Sequence, residues 1–380
     1  MENRAKKILL MGDASNCHIT LAKGLRRLGQ EVTVVSDGSR WMKTGRDIDI
    51  SRRWNNPVGG LELWWRIKRM LRSYLSGYDI VAINNPVFVT LRPERNRYIF
   101  DWLKGENGSI FLTALGNDTP YVEECLDPHS PLRYNEFRVV DKPGPYMVHC
   151  PEVARRWLSG PLRSHCEYVY GAIDGAVSVL YEYDVALRRV LPPYRHAYGG
   201  IPIDMRGVEP VDISSATDGV NLFLGRHSYR KSLKGADLLE EAALRTVELN
   251  RGKCRFTLVE DLPYNEFVGK LRNAHIVMDQ TYSFTPATSA LLAMASGQVA
   301  ITGGEPEYYD FIGEHTNHPI VNVTPVIDEI VATLDSLVKN PQKIIELGRR
   351  SRDFVKKHNS CEVVARRFLD FWNNRLEQKR

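Results

Sequence analysis

KILLMGDASNCHITLAKGLRRLGQEVTVVS, residues 7–36, is the stretch that decides the fold. Lys7 to Met11 is an apolar run too short for a helix and closed by Gly12, so it reads as a buried strand. Gly12-Asp13-Ala14-Ser15-Asn16 is a small polar turn, and His18 to Leu28 carries apolar residues at helical spacing until Gly29 stops it. Glu31 to Ser36 is the next strand. A strand, a tight loop, a helix and a second strand within about thirty residues form a parallel βαβ unit.

The same alternation continues outward. Asp79 to Asn84, Ser109 to Thr113 and Gly175 to Leu180 read as further strands, and the turn-rich His196 to Asp204 closes the first domain. Val220 to Gly225 starts the pattern again, followed by Arg255 to Val259, His275 to Met278 and Val299 to Thr302. Val363 to Leu376 is amphipathic at helical spacing and needs a surface to pack on. The expectation is an α/β protein of two Rossmann-like domains facing each other across a cleft. The first covers residues 1–205 together with a returning C-terminal helix, 362–380; the second covers 206–361.

The totals agree with two folded domains. With 380 residues, 43% hydrophobic and 26% charged, the chain can bury two ordinary cores. A net charge of +5 is far below the dense basic stripe of a nucleic-acid binder and suits phosphorylated small ligands or an anionic membrane. Six scattered cysteines show neither metal-ligand nor disulfide spacing, so no metal is expected and a cytoplasmic location is the simplest. The N-terminal apolar run is too short for an export signal, and no stretch is long enough to span a bilayer.

Chemistry concentrates in the second half. Gly225-Arg226 follows a strand and Lys234-Gly235 opens a helix, which puts two cations at the carboxyl end of a parallel sheet. Thr285-Pro286 reads as an N-cap and first helical residue, and the small Ala287, Thr288 and Ser289 leave the first-turn amides open to a phosphate. Glu260, after a strand, borders the place a nucleotide base would take.

On three features the chain resembles the retaining glycosyltransferases of GT-B fold, of the group 1, family-4-like type that includes many polysaccharide-assembly enzymes. They are Gly12–Asn16 ahead of Leu25–Val32, Gly225-Arg226 with Lys234-Gly235, and Ala293-Met294-Ala295-Ser296-Gly297. The resemblance implies transfer of a sugar from a nucleotide diphosphate sugar, UDP preferred, to a glycan or lipid-linked acceptor. It assigns Arg226 and Lys234 to the donor diphosphate, with Lys231 competing because about three extra residues separate the two cations, and it brings Gly12 and Asn16 to the ligand. No cofactor beyond the donor is implied. Where the family carries two glutamates eight positions apart, this chain has Phe284 and Leu292, and Glu305 and Glu307 are the nearby substitutes.

An inverting enzyme would need a base, for which Asp118 and His18 are the candidates; each has a plainer reading, Asp118 as a cap on Thr119 onward and His18 as a helix-start residue. Asp47-Ile48-Asp49 is the one D-x-D triplet. A non-hydrolysing sugar-nucleotide epimerase and a nucleotide-sugar-binding module without turnover remain as alternative functions. Trp64 to Arg72 has two readings: a basic aromatic segment lying on the inner face of an anionic membrane, or a half-buried helix with Trp65, Lys68, Arg69 and Arg72 solvated over Trp64, Ile67 and Leu71.

Overall fold

The computed structural model describes residues 4–38, 44–228 and 232–379. The chain forms two compact units. One comprises Met1–Glu124, Glu152–Pro202 and Cys361–Arg380, and the other Cys125–Pro151 and Ile203–Ser360.

The first unit is built on strands β1 Lys7–Met11, β2 Glu31–Ser36, β3 Ile48–Asp49, β4 Ile80–Ile83 and β5 Ser109–Ala114. The short β6 Arg138–Val139 and β7 Lys142–Pro143 pair as an antiparallel hairpin within the second unit. β8 Gly175–Ser178 and β9 His196–Tyr198 complete the first sheet, in the order β3-β2-β1-β4-β5-β8-β9 with every pairing parallel. Helices cover such a sheet on both faces, which is why Ile8, Leu9, Leu10 and Met11 are apolar without alternation and fully buried.

The second sheet consists of β10 Val220–Arg226, β11 Cys254–Glu260, β12 Ile276–Met278, β13 Val299–Thr302 and β14 Val321–Asn322. Its order is β11-β10-β12-β13-β14, again all parallel. Leu222, Leu224, Ile276, Met278, Val299 and Ile301 form its core with Leu239, Ile330 and Leu334 from the helices.

The helix Cys361–Gln378 packs in the first unit against the helix Cys17–Arg27, its Trp372 fully buried and its Glu362 accepting from Arg27 Nη1 at 2.9 Å. Residues 125–151, which the sequence division kept with the first domain, belong to the second unit. They carry no long periodic element, and Arg133 and Tyr134 tie them to Glu305 by hydrogen bonds.

Candidate functional site

In the second sheet β10 is flanked by β11 on one side and β12 on the other, so the direction of winding reverses between β10 and β12. Ligands of open α/β sheets bind beyond the carboxyl ends of the strands at such a switch point. Two loops meet there, one leaving β10 toward Gly235 and one leaving β12 toward Ala287. Thr281 N donates to Lys234 O at 3.0 Å, and Lys234 Nζ stands 3.7 Å from Asp279 Oδ1 with its side chain 37% exposed. Gly235 has a left-handed φ of 70°, and a Cβ placed there would lie 2.0 Å from Thr281 Oγ1. Close approach of the two loops is therefore what requires glycine after Lys234.

The helix after β12 runs Thr288–Ala295, not from Pro286. Ala287, with φ −88° and ψ −176°, is the N-cap, and no side chain caps the helix. Thr285 is not the cap: it is buried in a bend whose Phe284 carbonyl accepts from Glu305 N at 3.1 Å, ahead of the helix start. The first-turn amides of Thr288, Ser289 and Ala290 have no carbonyl within the helix to bond. In the loop that leads to this helix Asp279 Oδ2, Thr281 Oγ1 and Ser283 Oγ are buried with no hydrogen-bond partner among the described residues. Amides at a helix start, hydroxyls and a lysine suit an oxyanion.

Arg226 stands differently from its sequence expectation. It closes β10 directly opposite Glu260 in the register, and its guanidinium donates from Nε to Glu260 Oε2 at 2.7 Å and from Nη1 to Glu240. Burial would lower its pKa, but the two carboxylates outweigh burial and hold it above the ordinary value. Arg226 and Glu260 are thus spent on one another in this structure, and Lys234 is the more available cation. Lys231 lies outside the described residues.

Glu305 is the N-cap residue of the helix Pro306–Ile312 and is buried. It accepts from Arg133 Nη2 at 2.7 Å, from Asn322 Nδ2 at 2.7 Å and from the Tyr134 hydroxyl. Tyr134 lies against Phe284 with centroids 5.2 Å apart, and the Arg133 guanidinium sits 5.0 Å over the same ring. Phe284 thus forms an aromatic seat for residues 125–151. The helix Pro145–His149 of the same segment packs beside the turn Ser232–Lys234. Sequence reasoning missed this border of the site; the one signal was the aromatic Phe284 in a polar loop. Glu305→Ala leaves the Tyr134 hydroxyl and Asn322 without their acceptor and is expected to destabilise by about 1–3 kcal/mol. Limited proteolysis should then cut within 125–151 faster than in the unsubstituted protein.

The first unit has its own switch point between β1 and β4. Gly12 has φ 78°, and a Cβ there would lie 2.0 Å from Asn84 Oδ1; Asn16 is left-handed at φ 62°. His18 is fully buried, its Nδ1–H donating to Gly12 O at 2.7 Å and its Nε2 2.9 Å from Thr113 Oγ1. Burial, opposed only by the Gly12 carbonyl, pushes its pKa down to about 4, so the ring is neutral and Nε2 accepts. Asp118 is buried as well, capping the helix Thr119–Leu126 by accepting from Tyr121 N at 3.0 Å and from the Tyr170 hydroxyl at 2.6 Å. Neither side chain is placed to meet a substrate here. Asp47 accepts from Val34 N at 2.7 Å and from Arg26 at 2.6 Å, and Asp49 from Ser51 N at 2.6 Å, so the D-x-D triplet fastens its own loop.

Burial raises Asp118 to about 6 and Asp13 to about 7, so the fold favours both as neutral acids. The stability this contributes is full below the ordinary carboxylate range and is lost as pH rises through the raised values. At 1.36 kcal/mol per unit, Asp118 alone is expected to cost on the order of 3 kcal/mol between about pH 4 and pH 8. Urea unfolding across that interval should show the fall, and Asp118→Asn should reduce it by that amount while leaving the part that Asp13 contributes.

Two Rossmann-like units, each a parallel sheet with a switch point, are the architecture of the GT-B fold. No family model matches the chain, and no curated protein matches it in sequence. Solved structures do. Sucrose-phosphate synthase from Thermosynechococcus elongatus shares 14% identity over 99% of this chain and 100% of its own, with a TM-score of 0.65. Anabaena HepE in complex with UDP-glucose shares 12% identity over 97% and 99%, with a TM-score of 0.58. A putative UDP-N-acetylglucosamine 2-epimerase from Listeria monocytogenes shares 12% identity over 96% and 94%, with a TM-score of 0.54.

Proposed function

We propose that this chain is a glycosyltransferase of hexosyltransferase type that moves a sugar from a nucleoside diphosphate sugar, UDP preferred, to a glycan or lipid-linked saccharide. The reading rests on one observation: Lys234 and the uncapped helix start at Thr288 follow the two strands that flank the switch point of the second sheet. Departure of a nucleoside diphosphate puts negative charge on its oxygens. A fixed cation with preorganised amides stabilises that charge without a metal, the cation lowering the barrier by about 3 kcal/mol and the helix terminus by about 0.3–2 kcal/mol. The UDP preference is supported by HepE, whose structure holds UDP-glucose.

Transfer proceeds with retention, the acceptor hydroxyl attacking on the leaving-group face and giving its proton to the departing phosphate. Burial of His18 and Asp118 in hydrogen bonds supports a scheme that asks for no protein base. Phe284 and Leu292 offer no side-chain hydrogen bond to a hydroxyl, so sugar and ribose selection falls to other groups around the switch point.

Incubation with UDP-sugars, with and without saccharide acceptors, tests the proposal. A glycoside formed only when acceptor is present, with the donor's anomeric configuration by NMR, is the expected result. An epimerised UDP-sugar from donor alone would show an epimerase instead, and nucleotide binding without any product would show a binding module.

A further inference from the structure

The helix Pro57–Tyr74 presents an unusual outward face. Gly59, Gly60, Leu63, Ile67 and Leu71 are buried against the first unit. On the opposite side Val58, Leu61 and Trp65 are 63%, 46% and 56% exposed, at the spacing of one helical stripe. The stripe continues through the exposed Lys68, Arg69 and Arg72. Trp54, in the turn leading into the helix, is 51% exposed. The one acid of the helix, Glu62, stands at the edge of this stripe, one helical repeat before Arg69, and is partly buried between Arg53 and Arg66, at 3.7 and 3.5 Å. The exposed face therefore carries three cations, and the one carboxylate at its edge is already shared by two further arginines.

Aromatic and aliphatic side chains left in water as a contiguous stripe cost hydration free energy and mark a contact surface. The charge pattern says which contact. Lys68 Nζ sits 5.5 Å over Trp64 and Trp65 and 5.4 Å over Tyr98, so the cation is held at the rim of an aromatic patch. Tryptophan and tyrosine beside lysine and arginine match the boundary between headgroups and acyl chains, with the helix lying in the plane of the surface. No helix among the described residues is long and apolar enough to cross a membrane, so contact of this kind would be peripheral.

We propose that the helix Pro57–Tyr74 docks this protein on an anionic lipid bilayer, with Val58, Leu61 and Trp65 entering the interface and Lys68, Arg69 and Arg72 engaging acidic headgroups. The inference stands apart from the donor site, since lipid binding needs neither nucleotide nor turnover.

Sedimentation with vesicles of phosphatidylcholine alone and with vesicles containing phosphatidylglycerol tests it on the full chain. The protein should sediment with the anionic vesicles and be released by salt. Lys68→Gln, Arg69→Gln and Arg72→Gln together should weaken binding about 100-fold, since each basic residue near the surface contributes about a factor of five. Leu61→Glu with Trp65→Glu should weaken it at least about tenfold. Both sets lie on the exposed face, so an unchanged circular dichroism spectrum shows that folding is not the cause. Equal binding to the two vesicle types, no binding to either, or variants that bind like the unsubstituted protein would overturn the proposal. So would a concentration-dependent dimer that Leu61→Glu dissociates, which would mean that the stripe pairs two copies of the chain.

Discussion

Lys234→Ala is expected to lower kcat/KM for the nucleotide sugar by about 100-fold or more, while Thr288→Ala lowers it by less than about tenfold. The difference follows from what each change removes. Lys234 is a full positive charge beside the switch point, held at 3.7 Å from Asp279 and still more than a third exposed. Thr288→Ala deletes one hydroxyl but leaves every backbone amide of the helix start in place, and the helix terminus as a whole contributes only about 0.3–2 kcal/mol. Arg226→Ala should fall between the two, because Arg226 must first leave Glu240 and Glu260 to reach a phosphate. Steady-state kinetics of the three variants checks the ranking, and an effect of Thr288→Ala larger than that of Lys234→Ala would reverse it.

Gly24→Ala is expected to destabilise the first unit by about 3 kcal/mol, although alanine in the middle of a helix ordinarily stabilises by about 0.5–1 kcal/mol. Gly24 lies in the helix Cys17–Arg27 where the C-terminal helix crosses it. A Cβ there would stand 2.1 Å from the Cys361 carbonyl oxygen and 2.9 Å from Ala365 Cβ. The first of these contacts is to backbone, so no rotamer change relieves it and the two helices must separate. Gly105→Ala is the control: it also lies within a helix, Pro93–Glu106, but a Cβ there meets nothing within 4 Å. Urea unfolding should show a loss for the first and a small gain for the second.

The strands were legible because parallel strands covered on both faces are continuous apolar runs, and Lys7–Met11 and Val299–Thr302 stand as read. What sequence could not show is what depends on register and on contacts distant along the chain. Arg226 and Glu260 are thirty-four positions apart in sequence and become neighbours only through the pairing of β10 with β11. The Thr285-Pro286 signal for a helix start was outweighed by burial of the loop and its bond to Glu305, which shift the first turn to Thr288. Residues 125–151 have no period to read, and their attachment is made by Arg133 and Tyr134 on a glutamate some 170 positions later. The helix at Pro57–Tyr74 was half legible. Its burial pattern follows the half-buried reading, while the contribution of Val58 and Leu61 to the exposed face emerged only in three dimensions.

The central claim is that the switch point of the second sheet holds a nucleoside diphosphate. Calorimetric titration of the unsubstituted chain with UDP, GDP and ADP, repeated on Lys234→Ala, tests it most directly. The account predicts one site per chain that prefers UDP and is weakened at least about tenfold by the loss of Lys234. Absence of heat with all three nucleotides, or unchanged affinity in Lys234→Ala, would contradict it.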